Sequence, residues 1–265
     1  MVWIKNNVNN IVFLLSKTRL LKIFDILKMV NFMELFMYPI YMALAIIPVV
    51  FIGWIISNKA HNSEPGGMLI LLFILGCLSC IPALIGEEFF MYVFGEEPKE
   101  FIVLFIYIFF GIAFIEEVVK WFCCYFVGFN NKAFDKAYDM IIYAVFAALG
   151  FAFLEDLLYI FTSEGALAVA IMRAIISIPA HACFSIIMGY FLGLVRYYAN
   201  IKDRYKEVLY TLLSILIPSL IHAIFDTLLM AGNALCIFLF FAFAITINIV
   251  CFTNAHKLYK RNIDV

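Results

Sequence analysis

Seven stretches of this 265-residue chain are long and apolar enough to cross a bilayer, and that restricts its folds more than any other feature. A hydrocarbon core takes about 20 apolar residues per helix, and the runs at 35–56, 68–94, 101–129, 137–161, 166–197, 208–230 and 234–253 each supply them. Backbone groups in lipid must be satisfied within their own segment, so runs of this length read as helices. The connectors are short and polar and no internal repeat is visible. The expected fold is therefore an all-α polytopic transmembrane bundle of about seven spans, one domain over 35–256 with a basic tail at 257–265. With 66% hydrophobic and 14% charged residues, a water-facing globule and a disordered chain are excluded. A net charge of −1 removes the electrostatic footprint of a nucleic-acid binder.

Residues 1–34 differ from the rest. Lys17, Arg19, Lys22, Asp25 and Lys28 interrupt a moderately apolar stretch, the pattern of an amphipathic helix lying on a membrane surface; the alternative is translation from Met29 or Met33. Orientation follows from Lys and Arg at the span ends. Lys59, Lys132, Lys136, Arg196 at a span edge, Lys202, Arg204, Lys206 and the tail residues Lys257, Lys260 and Arg261 share one side, against Lys99 on the other. The C-terminus is accordingly expected in the cytoplasm of a multi-pass cell-membrane protein, an orientation that the basic N-terminal segment opposes. The seven cysteines lie in or beside apolar runs, without disulfide or zinc-ligand spacing, and read as small buried hydrophobes.

Charged groups at membrane depth cost roughly 2.5 kcal/mol or more each, so they are normally paired or face a hydrated cavity. Here they are numerous: Glu87 and Glu88, then Glu116, Glu117 and Lys120, then Asp139, Glu155 and Asp156, then Arg173 and His181, then His222 and Asp226. Either glutamate of the 116–117 pair can meet Lys120 one turn on, leaving the other to face a reaction centre; a self-neutralising structural ion pair has the same spacing. His222 and Asp226, four apart, suit two metal ligands, an oriented histidine, a proton relay or a packing contact. Pro179, two residues before His181, frees the carbonyl of Ile175 and suggests a polar interior. Arg173 reads as a counter-ion for Glu155 or Asp156. Counted at about 1.5 Å per residue, Glu116 and His181 fall near the midplane and Glu155 and His222 in the outer half. A cavity gathering the four would take water from outside.

Four ordered motifs resemble those of the PrsW family of intramembrane proteases. Glu116-Glu117-Val118-Val119-Lys120 has the family's E-E-x-x-K form; 135–159, DKAYDMIIYAVFAALGFAFLEDLLY, resembles D-x-x-x-D followed by G-F-A-x-x-E and an aromatic; Arg173 to Gly193 carries P-A-H and G-Y-F-L-G; His222 to Asp226 reads H-x-x-x-D. The resemblance spans about 33–230 and includes Glu64-Pro65 before the second span. Met140 and Ala144 stand where the family has glycines, and Asp156 where it has Asn. The wider superfamily resembled includes the CAAX prenyl endopeptidases and Abi-type immunity proteins.

The resemblance implies an intramembrane endopeptidase that makes the first, extracytoplasmic cut in a single-span anti-sigma factor during envelope stress. The expected machinery has Glu116 polarising a water, Glu117 paired with Lys120, Glu155 positioning the water, and His222 with Asp226 stabilising the oxyanion. His181 donates to the leaving amine or completes a metal site. With no H-E-x-x-H, the sequence requires no cofactor, and a glutamate-dependent route is preferred; a Zn²⁺ variant would use His181, His222 and Glu155. The rivals are a proton- or ion-coupled transporter, whose repeat symmetry is lacking, and a non-catalytic membrane scaffold.

Overall fold

The computed structural model describes residues 32–58, 64–129, 131–163, 165–261 and 263–265. The surface-lying segment expected at 1–34 lies, up to residue 31, outside the described residues. Seven helices are long and apolar enough to cross a membrane: α1 (Phe32–Ser57), α2 (Gly66–Phe94), α3 (Phe101–Phe129), α4 (Asp139–Thr162), α5 (Ala166–Asn200), α6 (Arg204–Met230) and α7 (Ala234–Arg261). Among the described residues the one β-type contact is an isolated antiparallel bridge between Lys136 and Asp264. The largest departure from the expected boundaries is α7, which continues past the apolar run into the basic tail. Ala255 and Leu258 are buried there while Lys257, Lys260 and Arg261 face out, so amphipathic packing extends the helix beyond the hydrophobic stretch.

α4 is the centre of the bundle. In its most apolar window 72% of residues are buried, against 28–39% in the other six helices. Lipid tails are as apolar as leucine, so helices in a bilayer associate through close packing rather than through hydrophobic gain, and small residues allow it. A Cβ on Gly150 would lie 1.9 Å from the Phe73 carbonyl oxygen of α2, and one on Gly76 would lie 1.9 Å from the Ala147 carbonyl oxygen of α4. On the opposite flank a Cβ on Gly189 of α5 would lie 2.6 Å from the Met140 carbonyl oxygen. That last contact accounts for the missing glycine at 140: the close approach of α4 and α5 is supplied from the α5 side.

The connectors expected on the basic side are tied together. The Asp139 carboxylate accepts the backbone N–H groups of Lys136, 2.7 Å, and Asp135, 3.1 Å, fixing the turn before α4. The chain end pairs with this turn through Ala137 N–H to the Ile263 carbonyl, 2.9 Å, and Val265 N–H to the Asp135 carbonyl, 3.0 Å, reinforced by the Lys136–Asp264 ion pair. Tyr138 donates to the Ile56 carbonyl, Tyr143 to Glu64, and Arg196 to the Phe129 carbonyl. The opposite ends of the helices form the other face, where the Tyr107 hydroxyl donates to the Gly95 carbonyl across the α2–α3 connector.

Two helices carry π-helical segments, two of the three beside the buried charges. α3 is π-helical at Phe109–Ala113, immediately before Glu116, and again at Cys124–Phe129; α5 is π-helical at Arg173–Ser177. A π turn spends an extra residue, so the α5 segment turns Arg173 back toward the face of His181. Pro179 sits just past that segment, at the start of the following α-helical stretch, where its missing N–H falls at a change of register. All seven cysteines are free, five of them buried.

Candidate active site

Glu116, Glu117 and Lys120 project from α3, Glu155 and Asp156 from α4, Arg173 and His181 from α5, and His222 and Asp226 from α6. Together they form one polar centre inside the bundle. Lys120 is fully buried; its Nζ lies 2.5 Å from Glu117 Oε1, 3.5 Å from Glu116 Oε2 and 3.2 Å from His181 Nδ1, and 4.5 Å over the Phe151 ring. His181 Nε2 lies 3.0 Å from Glu155 Oε2, and that same oxygen is 2.7 Å from an Arg173 guanidinium nitrogen. Arg173 also pairs with Asp156, which takes the Ser177 hydroxyl at 3.2 Å, and stacks over the Tyr159 ring. His222 Nδ1 lies 3.0 Å from Glu117 Oε1, while its Nε2 faces Asp226 Oδ2 at 3.2 Å and Glu116 Oε2 at 4.0 Å.

The partners determine which nitrogens carry protons. An ammonium has only donors, so His181 Nδ1 accepts from Lys120 and the ring's N–H is on Nε2, donating to Glu155. Both nitrogens of His222 face carboxylates. With Nδ1–H donated to Glu117, Nε2 presents a lone pair to the acceptors Asp226 and Glu116, an arrangement that calls for a proton or a cation. Five carboxylates, Glu116, Glu117, Glu155, Asp156 and Asp226, share this centre with the two basic side chains Lys120 and Arg173 and the two histidines. Glu116 Oε2 has no hydrogen-bond partner.

Glu116, His181 and His222 each offer a ligand atom, and these atoms lie within 4.8 Å of one another. Two imidazoles and a carboxylate are the donor types zinc takes. Each histidine also has a carboxylate on its other nitrogen, Glu155 behind His181 and Glu117 behind His222, the arrangement that orients metal-bound histidines. The donor types fit a divalent cation, which would take Nδ1 of His181 in place of the Lys120 ammonium that holds it at 3.2 Å. The carboxylate that joins the two histidines is Glu116; Glu155, expected in that place, is held by Arg173 and stands behind His181.

A cavity of about 360 Å³ reaches this centre, lined at depth by Glu116, His181, Phe184 and His222 and toward its mouth by Glu97, Tyr159, Met172 and Met230. The mouth residues belong to the helix ends away from the C-terminal tail. Glu87, Glu88 and Asp139, also ionisable and within expected spans, do not line it. Residues that the sequence reading missed complete the site. Phe184 stacks on the His222 ring, centroids 4.6 Å apart, and Phe151 lies under Lys120. Phe184 follows His181 by three residues and shares its helix face, a spacing that could have shown it; Glu97, from a connector, left no such signal.

A multi-pass helical membrane protein with glutamates, histidines and a lysine gathered around a buried, water-accessible cavity belongs to the class built for chemistry inside the bilayer. The family model described as "PrsW family intramembrane metalloprotease" matches residues 64–252. The "Protease PrsW" of Clostridioides difficile (strain 630) is 38% identical over 223 residues, 82% of this chain and 89% of that protein. Those of Oceanobacillus iheyensis and Bacillus subtilis (strain 168) are 37% and 32% identical over 171 and 186 residues, covering 64% and 69% of this chain and 74% and 79% of theirs. No solved structure matches. The chain belongs to the PrsW family of intramembrane proteases.

Proposed function

We propose that this protein hydrolyses a peptide bond of a single-span membrane protein at the Glu116–His181–His222 centre, with a divalent cation, zinc by donor type, held by those three side chains. The observation that carries the metal over the glutamate-only route is the convergence of Glu116, whose Oε2 makes no hydrogen bond and meets Lys120 only as an ion pair at 3.5 Å, with two imidazoles, each backed by its own carboxylate. The cation supplies Lewis-acid polarisation of the scissile carbonyl and a more acidic water. Among the carboxylates, Asp226 is the most open to the cavity, its side chain 22% exposed against 4% for Glu116. It takes the proton from the water and returns it to the leaving amine. Glu155 and Glu117 hold His181 and His222 in orientation, and Lys120 and Arg173 offset the carboxylates left over.

The substrate in this reading is an anti-sigma factor, cut at its extracytoplasmic side, and the chain shares ancestry with the CAAX prenyl endopeptidases and Abi-type proteins. A cavity mouth on the face away from the basic connectors supports the side of the cut, given a cytoplasmic C-terminus.

The test is cleavage of a panel of single-span substrates by the purified protein in lipid, with and without chelator, alongside zinc content measured by mass spectrometry. Wild type is expected to cut, to lose activity with chelator and to regain it with Zn²⁺; Glu116→Gln and His222→Ala are expected to lose both zinc and activity. Cutting that survives chelation returns the glutamate-only route, and variants that cut as well as wild type overturn the assignment of the site.

A further inference from the structure

A second cavity, of about 620 Å³, lies outside the catalytic centre, between α5, α6 and α7. Its walls are Ile186, Ile217, Ile221, Phe243, Ile247 and Val250, and one end is closed by Asn254, Lys257 and Arg261. From Phe243 to Lys257 along α7 is about 21 Å at 1.5 Å per residue, somewhat more than one leaflet's hydrocarbon, about 15 Å. The groove thus runs from the interface to about the midplane. At that depth an apolar channel offers water few partners, so its walls suit hydrocarbon.

The polar end indicates which hydrocarbon. Lys257 and Arg261 are four apart on one helix face, exposed, and without an ion pair among the described residues. Of the other basic groups on this face, Lys136 is engaged by Asp264, Arg204 by Glu207, Lys206 by Asp203 and Arg196 by the Phe129 carbonyl, while Lys132, Lys202 and Lys260 do not line the groove. Two free cations with an amide beside them, at the mouth of a leaflet-deep apolar groove, complement a phosphate carried on an acyl chain. A second copy of the chain, entering in the same membrane orientation, would bring its own Lys257 and Arg261 to this level and add cations where an anion is wanted.

We propose that the groove between α5, α6 and α7 binds an anionic phospholipid, with one acyl chain along α7 and its phosphate between Lys257 and Arg261. The site is separate from the peptidase centre, so its test needs no cleavage assay.

The full chain is purified, stripped of lipid in neutral detergent, and offered phosphatidylglycerol or phosphatidylcholine, and bound lipid is counted by native mass spectrometry. Wild type is expected to retain phosphatidylglycerol about thirtyfold over phosphatidylcholine, as two interfacial cations would give. Lys257→Gln with Arg261→Gln should remove that preference, and Thr246→Trp, an exposed position on the groove wall, should reduce retention of both lipids. Lys202→Gln, on the same face but off the groove, should change nothing. Equal retention of the two lipids by wild type, an unchanged double variant, or an equal loss in Lys202→Gln overturns the proposal. So does a dimer that Thr246→Trp dissociates while lipid retention stays the same, since the groove is then a subunit interface.

Discussion

His181 Nε2 and Glu155 Oε2 meet at 3.0 Å across the α4–α5 contact, and Arg173 binds the same carboxylate oxygen from about two turns earlier on α5. Glu155 therefore fixes the orientation and tautomer of His181, and the guanidinium holds the carboxylate in place. Supporting carboxylates of this kind are worth about 10–100-fold in metal affinity or activity. Glu155→Gln is expected to lower zinc content and cleavage within that range while the protein stays folded. Asp156→Asn, which keeps an acceptor for Arg173 and Ser177, should leave both close to wild type. Equal losses in the two variants would mean that the Arg173 network only holds helices together.

Lys120 is a second point of leverage. Its ammonium is fully buried between Glu116 and Glu117, and removing one partner of a buried ion pair leaves an uncompensated charge that costs about 3–5 kcal/mol. Lys120→Met should destabilise by about that amount in thermal or denaturant unfolding in detergent. Glu117→Gln added to it should recover a large part, since the charge then has nothing left to repay. A double variant as unstable as the sum of the two singles would contradict a direct pairing.

Much of this arrangement is legible in the chain itself. Periodicity and length locate the seven spans because the bilayer imposes one length scale on each, and the i, i+3 and i, i+4 spacings put Lys120 with its glutamates and His222 with Asp226. What spacing cannot supply is which helices touch. The pairings Glu117–His222, Glu155–His181 and Lys120–His181 cross between helices, and they depend on glycine contacts along α4 and on π turns that rotate Arg173 and Glu116 off an ideal helical register. Depth alone places Glu155 with the histidines; its pairing with Arg173, eight residues before His181, is what depth does not show.

Packing at α4 gives a structural prediction. A Cβ on Gly150 would meet a backbone carbonyl oxygen at 1.9 Å, and a backbone cannot move aside as a flexible side chain can. Gly150→Ala should force α2 and α4 apart at a cost of about 1–3 kcal/mol or more, and because both helices carry or border site residues, cleavage should fall with stability. Gly53→Ala is the internal control, its added methyl meeting the Phe146 ring at an ordinary 3.5 Å. Similar unfolding temperatures for the two variants would contradict a tight α2–α4 crossing.

The remaining prediction concerns pH and lies outside the spans. Glu64, just before α2, accepts the Tyr143 hydroxyl at 2.5 Å. Burial raises its carboxyl above the ordinary 4.5, and the neighbouring Asp135 charge adds to the rise, against the opposing hydrogen bonds from Tyr143 and Asp139. The folded state then holds this proton more tightly than the unfolded chain does. Its contribution to stability is fully present below about 4.5, the unfolded value, and is lost as pH rises through the higher folded value. At pH 8 the folded protein carries a partly buried charge there, which Glu64→Gln removes while keeping an acceptor for Tyr143. The variant should match wild type near pH 4 and unfold at a higher temperature than wild type at pH 8. A lower unfolding temperature for Glu64→Gln at pH 8 would show that the charged carboxylate stabilises this connector, the opposite of what its burial implies.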